Sequence, residues 1–490
     1  MKSHYDLIAI GGGSAGLGVA IAMKRLGFTV LMIDRYDRRI GGDCLNDGCV
    51  PSKALIHVSR MVQQARRAQS FGWTMEGKTD LAAVMQYVDE RREIIRVHEN
   101  AAYLREVEKL DVELGIARFV GRRELEIRTG DGPGRTTSAK NIVLCTGSRP
   151  KLLNVPGVEQ VKTYTNETIF SLEKLPDRLL VVGAGPIGIE IGQAFQRFGS
   201  QVTIVGTEDR ILHKELSEVS DLLQKRLTAE GMEFRLNRNV KAFHGTNTVE
   251  LERKNGLTER LEFDAVLVAI GRTFSFDDLN LSVAGIELDN KGRLKLNDYL
   301  QTTNEHVFAA GDAAAGLPAG QRLFSHAAEL HVSTLVTNFI TPGQVLDKKV
   351  NYDHFSWVTF TDPEVATFGL LEAELKTRNI RYERLDYDFA HDDRAVIEDY
   401  EYARMILFTE PAGINPFGTK ILGGTVIAPN AGELVQELIL AVQQKLTAGD
   451  FFNKIYPYPT ASRVNKSIWV DHISDNLPGI VRKAVKWLYV

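Results

Sequence analysis

Apolar residues along this chain come in short runs closed by glycine, and one arrangement of them occurs twice. From Tyr5 to Asp34 the order YDLIAIGGGSAGLGVAIAMKRLGFTVLMID predicts strand, glycine turn, helix, strand, with the first strand at Leu7 to Ile10 and Asp34 closing the second. The order returns as RLLVVGAGPIGIEIGQAFQRFGSQVTIVG. Three further apolar strands end in glycine turns: VLCTGSRP (Val143 to Pro150), VLVAIGRTF (Val266 to Phe274) and HVFAAGDAA (His306 to Ala314). Near the C-terminus ELVQELILAVQQKL sets Leu434, Leu438, Ala441, Val442 and Leu446 on one helical face. In VRKAVKWLYV, Val481, Ala484, Val485 and Leu488 share a face, with Arg482, Lys483 and Lys486 elsewhere.

The glycines of the repeated unit carry its chemistry. Gly11, Gly13 and Gly16, and again Gly183, Gly185 and Gly188, stand in G-x-G-x-x-G spacing between strand and helix. The first glycine permits a tight turn, the second lets backbone approach a pyrophosphate, and the third lets the helix pack on the strand. The helix N-terminus then faces the phosphates. Asp34 can accept from both ribose hydroxyls. The offset that carries Gly11 onto Gly183 carries Asp34 onto Gly206, so the second copy has lost its ribose acid. Without it the usual discriminator between NADH and NADPH is gone.

Composition narrows the class. A chain of 490 residues is too long for one core and predicts two to four domains. Hydrophobic content of 44% and charged content of 25% are those of a water-soluble globular protein. A net charge of −4 argues against bulk nucleic-acid binding. The N-terminus lacks the apolar core of a signal peptide, and no apolar run approaches the ~20 residues of a membrane span. With three cysteines in all, the reading is a reducing cytoplasm.

Two of those cysteines, Cys44 and Cys49, lie in GGDCLNDGCVPSK (Gly41 to Lys53). Metal sites usually want a tighter pair and further ligands, and none follow. A large, cysteine-poor chain has little need of a structural staple. A redox-active pair and coincidence both stay open on the residues alone.

Taken together these stretches resemble the flavoprotein disulfide reductases, the family of glutathione reductase, dihydrolipoamide dehydrogenase and mercuric reductase. The resemblance runs from Tyr5 to about Ser462, and GGDCLNDGCVPSK matches the family's redox-disulfide signature. It implies an α/β fold with two Rossmann-like dinucleotide-binding domains plus an α+β C-terminal dimerisation domain. The boundaries expected are 1–150 and 271–349 for a split FAD domain, and 151–270 for an inserted NAD(P) domain. The dimerisation domain would take 350–465 and a helical extension 466–490. A homodimer is implied, with FAD and NAD(P)H as cofactors and no metal ligands.

Residue by residue, the resemblance makes Cys49 the flavin-proximal thiolate and Cys44 the interchange thiol that meets substrate. Lys53 matches the lysine near the flavin, with Glu190 as its carboxylate partner. FAD would be held by Gly11, Gly13, Ser14, Ala15, Gly16 and Asp34, with Thr146 and Gly147 and, at the ribityl end, Gly311 and Asp312. NAD(P)H would take Gly183, Gly185, Ile187 and Gly188, with Gly271 and Arg272 in the following turn. Pro51 suits the first turn of a helix over SKALIHVSRMVQQARRA, which puts Cys49 at its N-terminus, where a thiolate is favoured. Residues five apart in one helix stand beyond the ~7 Å reach of a disulfide, so Cys44 is expected in a glycine-flanked loop bent back over Cys49. Cys145 reads as a buried small hydrophobe.

The C-terminal part departs from the family. Its disulfide-reducing members end in H-x-H-P-T-x-x-E, donated across the dimer, with a His–Glu acid–base dyad. Here the segment is YPYPTASR: Tyr458 stands for the second His and Arg463 for the Glu. A tyrosine near pH 10 is a poor base at neutrality. Mercuric reductase also carries tyrosine in this region, but its C-terminal cysteine pair is missing here. Tyr458 either hydrogen-bonds a substrate or closes the pocket, and FAHDDRA (Phe389 to Ala395) has no chemical role in this reading. The tail helix packs on the body or the dimer partner, or it anchors the protein to a membrane surface or another protein. The function read is electron transfer from NAD(P)H through FAD to the Cys44–Cys49 pair and on to a disulfide, metal or other small acceptor. The alternatives are direct reduction by the flavin of a quinone, metal or nicotinamide acceptor, and a flavin-loaded interaction subunit.

Overall fold

A computed structural model describes residues 2–489 apart from 75 and 131; the last residue of the expected extension, Val490, lies outside the described residues. The chain divides into two compact units, Met1–Asp209 with Glu230–Asn351, and Arg210–Ala229 with Tyr352–Val490.

The first unit holds both glycine-rich repeats. Strand β1 (His4–Ile10) runs parallel to β2 (Val30–Asp34) on one side and to strand Arg135–Leu144 on the other. Asp111–Leu114 extends the sheet beyond β2, and Val307–Ala309 also pairs parallel with Arg135–Leu144. Inner strands covered on both faces must be apolar throughout, and Leu7, Ile8, Ala9, Leu31 and Met32 are all buried. The first strand begins three residues earlier than the apolar run indicated, because His4 and Tyr5 pair with Ser138 and Ala139.

The second repeat builds an all-parallel sheet in the order Glu233–Arg235, Gln201–Val205, Arg178–Val182, Ala265–Val268, Thr163–Tyr164. A three-stranded antiparallel sheet, Arg238–His244, Thr248–Arg253 and Thr258–Glu262, shares a core with it around Phe243, Val249, Leu251 and Phe263. Two glycine turns meet where Arg149–Pro150 pairs antiparallel with Arg272–Thr273.

The second unit is an antiparallel five-stranded sheet, ordered Ser356–Thr359, Glu364–Gly369, Ile421–Ala428, Arg404–Thr409, Glu383–Asp388. Helices pack on it around Trp469, Phe451 and Leu438. The stretch expected as one amphipathic helix is two, Ala431–Leu434 and Gln436–Gln444. Lys445 turns left-handed at φ 55, so Leu446 lies past the helix end while still packing against the core. Helix Ser217–Ala229 belongs with this unit, and so does the loop before it. There the buried Glu215 accepts from Trp357 Nε1 (2.5 Å) and Thr367 Oγ1 (2.6 Å). Among the described residues no helix is long and apolar enough to cross a membrane.

Candidate functional site

The first glycine turn leaves no room for side chains. A Cβ on Gly11 would stand 2.3 Å from the Cys145 carbonyl oxygen, and one on Gly16 would stand 1.8 Å from the oxygen of Gly11. Gly11 also holds φ at +107°. Helix α1 (Ser14–Arg25) therefore starts at Gly13 with no side-chain cap, and the amides of its first turn point out of the helix end. Asp34 Oδ2 accepts from the Gly12 amide at 2.7 Å, which holds its carboxylate against that turn. Cys145 is buried, and burial pushes its thiol up.

The cysteine stretch folds directly onto this turn. The Gly41 amide donates to the Gly12 carbonyl at 2.8 Å, and a Cβ on Gly42 would lie 2.6 Å from the Gly13 Cα. Gly41 and Gly42 both have positive φ, 90° and 60°, and start a short helix, α2 (Gly42–Asn46). Cys44 sits within this helix and not in a loop. The reason is local: Asn46 Nδ2 donates back to the Gly42 carbonyl at 2.7 Å and closes the turn. Gly48 (φ −120°, ψ −114°) then breaks the chain, and α3 (Cys49–Ala68) begins at Cys49.

The two cysteines are free thiols here, the reduced arrangement of the pair. A hydrogen bond from Cys44 brings the Cys49 thiol down to about 6, aided by Ser325 and by the Lys53 ammonium against the opposing effect of burial. Its position at the start of α3 works in the same direction. The same hydrogen bond, then burial, push the Cys44 thiol up. Ser325, 3.5 Å from Cys49 Sγ through its hydroxyl, opens helix Ser325–Ile340 and was not signalled by any motif.

One turn into α3, Lys53 Nζ lies 2.9 Å from Glu190 Oε2. Glu190 rides on helix Pro186–Phe198, the helix of the second glycine repeat, and its side chain is only 7% exposed. The structure thus brings together two residues far apart in the chain, one from the helix of the cysteine segment and one from the second repeat.

Arg272 ties two other stretches to the cysteine segment. Its Nη2 meets Asp43 Oδ2 at 2.7 Å, its Nε lies 3.5 Å from Asp312 Oδ2, and it donates to the hydroxyl and carbonyl of Ser148. Ser148 in turn donates to Asp312, whose carboxyl is pushed up by burial against the pull of Ser148 and Arg272. Arg272 is expected in the nicotinamide turn; its described contacts are with the cysteine segment, Ser148 and the Gly311–Asp312 loop. Asp43 lies within the redox signature and Ser148 within VLCTGSRP, but neither carries a role in the sequence reading. Asp43, Asp47 and Glu167 cluster, but Arg272, Arg39 and Arg149 answer their charges. The Gly311 amide donates to His331 Nδ1 at 3.1 Å, and burial brings that imidazole down to about 4.

The second repeat has the same close contacts. A Cβ on Gly183 (φ +125°) would meet the Ala269 oxygen at 2.2 Å, and one on Gly188 the Gly183 oxygen at 2.1 Å. Gly185 and Gly271 face open space, Ile187 is partly exposed beside them, and Thr146 and Gly147 edge the first repeat's turn. Gly206 is buried, and a Cβ there would lie 2.9 Å from Ala184 Cβ, so an acid at this position would require the second repeat's turn to shift.

In the second unit, Tyr458 donates its hydroxyl proton to Asp393 Oδ2 at 2.9 Å, and the Arg463 guanidinium lies 5.2 Å over its ring. Asp393 belongs to FAHDDRA, so the two stretches left without a clear role meet. Around them is a polar cavity of about 100 Å³, with His391, Arg394 and Thr460 also in its wall. The hydrogen bond to Asp393 raises the pKa of Tyr458.

The profile of the family described as pyridine nucleotide-disulphide oxidoreductase matches residues 5–331, and that of its dimerisation domain residues 355–467. The chain belongs to this family. A mitochondrial dihydrolipoyl dehydrogenase of Dictyostelium discoideum is 31% identical over 96% of this chain and 94% of its own. A mercuric reductase of Lysinibacillus sphaericus is 31% identical over 96% of this chain and 84% of its own. Among solved structures, the Cu(II) complex of the HOCl-induced flavoprotein disulfide reductase RclA from Escherichia coli superposes with TM-score 0.82. It is 22% identical and covers 96% of this chain and 99% of that one.

As a pyridine nucleotide-disulphide oxidoreductase the chain is an enzyme that uses FAD and NAD(P)H, and its dimerisation domain supports a homodimer. The residues present fit the flavin nucleotide. The uncapped first turn of α1, the side-chain-free contacts at Gly11 and Gly16, and Asp34 make a dinucleotide cradle against which the cysteine segment is pressed.

Proposed function

We propose that this enzyme reduces a thiophilic or redox-active metal ion at Cys44 and Cys49, in preference to a small disulfide. The observation that carries the reading is the Tyr458–Asp393 hydrogen bond, which stands where a histidine–glutamate dyad would serve disulfide exchange. Disulfide turnover needs a group that takes and returns a proton near neutrality, and a tyrosine hydroxyl committed to a carboxylate does so poorly. Reduction of a soft metal ion needs no such group, only two sulfur ligands and two electrons. A relative named mercuric reductase supports the same acceptor class.

FAD, when bound, supplies the two-electron carrier between NAD(P)H and the cysteine pair. The chain's own residues do the rest. α3 and Cys44 hold Cys49 as a thiolate, Lys53 and Glu190 set the charge beside it, and Arg272 fixes the cysteine segment against the Gly311–Asp312 loop. Gly11, Gly13, Ser14, Ala15, Gly16, Asp34, Gly311 and Asp312 hold the flavin nucleotide, with Thr146 and Gly147 at its edge. Gly183, Gly185, Ile187, Gly188 and Gly271 hold NAD(P)H. Tyr458, steadied by Asp393, offers its hydroxyl oxygen to the acceptor at the cysteine pair of a second copy. The balance is NAD(P)H with one Hg²⁺, or two Cu²⁺, giving NAD(P)⁺, a proton and Hg⁰ or two Cu⁺. The compartment proposed is the cytoplasm.

The test is an anaerobic acceptor screen with NADH and NADPH on the wild type and Cys49→Ser, followed at the flavin absorbance. Metal-dependent nucleotide oxidation at least tenfold above that with lipoamide or glutathione disulfide, lost in Cys49→Ser, is expected. Equal or faster disulfide turnover refutes the metal reading. Metal turnover untouched by loss of either cysteine means direct reduction by the flavin.

A further inference from the structure

The tail helix, Gly479–Leu488, has no buried residue. Ile480 is 79% exposed, Trp487 80%, Leu488 74% and the following Tyr489 92%, so this helix is not packed on the body of its own chain. Its position is nonetheless set: Arg482 donates to the carbonyls of Ser474, Leu477 (3.1 Å) and Asp475 (3.3 Å), capping the preceding helix Val464–Asn476.

The sides of the helix separate completely. At 100° per residue Ile480, Val481, Ala484, Val485, Trp487 and Leu488 fall within roughly 160° of its circumference. Arg482, Lys483 and Lys486 fill the opposite arc, and there is no acidic residue from Leu477 to Tyr489. This helix carries three cations and no anion, with Trp487 near its end and Tyr489 just past it. Large exposed apolar faces on otherwise water-facing proteins mark interaction sites. The distribution matches the border of an anionic bilayer: an apolar face a few ångströms deep, lysines toward headgroups, and Trp and Tyr at the level of the interface.

We propose that residues 479–489 dock this enzyme on the surface of a bilayer rich in anionic lipid, as a peripheral anchor lying in the plane of the interface. The two lysines supply attraction within a Debye length of the surface, and Ile480, Val481, Trp487 and Leu488 supply the insertion.

The experiment is co-sedimentation of the full-length holoprotein with vesicles of phosphatidylcholine alone and with one-third phosphatidylglycerol. Wild type, Trp487→Ser and Lys483→Glu/Lys486→Glu are compared, with dimer mass and NAD(P)H oxidase activity as controls for folding. Partitioning onto anionic vesicles is expected. It should fall at least tenfold on neutral vesicles and in each variant, and the difference emission spectrum between wild type and Trp487→Phe should move to the blue on binding. Absence of binding to anionic vesicles overturns the proposal. So does binding that ignores lipid charge and both variants. Conversion of the dimer to monomer on deleting residues 479–490, without vesicle binding by the wild type, shows that a second copy covers the face.

Discussion

Replacing Cys44 by alanine should remove the largest single support of the Cys49 thiolate. In the intact pair the Cys49 thiol lies at about 6, against 9.0 for a free cysteine, and the largest cause is the hydrogen bond from Cys44. At pH 7 a group at 6 is about nine-tenths ionised and one at 9 about one-hundredth. Solvent reaches Cys49 from one side, so it screens part of the remaining interactions and also replaces part of the lost donor. We therefore expect the midpoint to rise to between ~7 and ~8, and not the whole way to a free thiol. The assay is the pH profile of iodoacetamide alkylation of the holoprotein, with the modified residue located by mass spectrometry. The midpoint is the readout, because a less acidic thiolate is a better nucleophile and partly compensates the rate. Cys145 does not interfere, being 6% exposed with its thiol pushed up. Cys44→Ser, whose hydroxyl still donates, should restore most of the depression. A midpoint that stays near 6 in Cys44→Ala refutes the reasoning and assigns the thiolate to the helix end, Ser325 and Lys53.

Lys53→Met leaves Glu190, 7% exposed, without its ammonium partner. With the lysine itself 36% exposed, the loss should be ~1–2 kcal/mol in urea unfolding, recovered in large part by Lys53→Met/Glu190→Gln. Additive effects of the two changes would show that the pair is not coupled. His331 is held neutral, its folded value about 4 lying below the ordinary 6.5, so the unfolded chain binds the extra proton. Its contribution is complete above pH 6.5 and is lost as pH falls toward 4, up to ~3 kcal/mol. The melting temperature of wild type minus that of His331→Gln should drop across that window, with flavin fluorescence rising as the Gly311 loop loosens; a flat difference rules this out. Gly206→Asp should raise KM for NADH and not lower it, because its Cβ would press on Ala184 at 2.9 Å. A tenfold lower KM for NADH would show that the turn adapts.

Much of this was legible from residue types alone. Glycines at 11, 16, 183 and 188 announce themselves because no other residue clears the carbonyls beside them, and the start of α3 at Cys49 follows from Gly48 and Pro51. What sequence did not show falls into two kinds. Cys44 on a helix depends on Asn46 reaching back to Gly42, a contact that glycine-rich spelling disguises as loop. The partnerships of Arg272 with Asp43 and of Tyr458 with Asp393 join residues far apart, and no periodicity reports on a pairing made only by the folded sheets. The break at Lys445 is of the first kind: its left-handed turn interrupts an apolar stripe that reads as continuous.

The contact of Gly42 against Gly13 bears on how this chemistry can be moved between proteins. Thirteen residues look like a portable cassette, yet their geometry is imprinted by a loop thirty positions upstream. Any graft must carry the stretch from His4 to Ala68 as one block, and any drift at Gly13 or Gly42 must be matched at the other. The redox pair and the nucleotide cradle are inherited together.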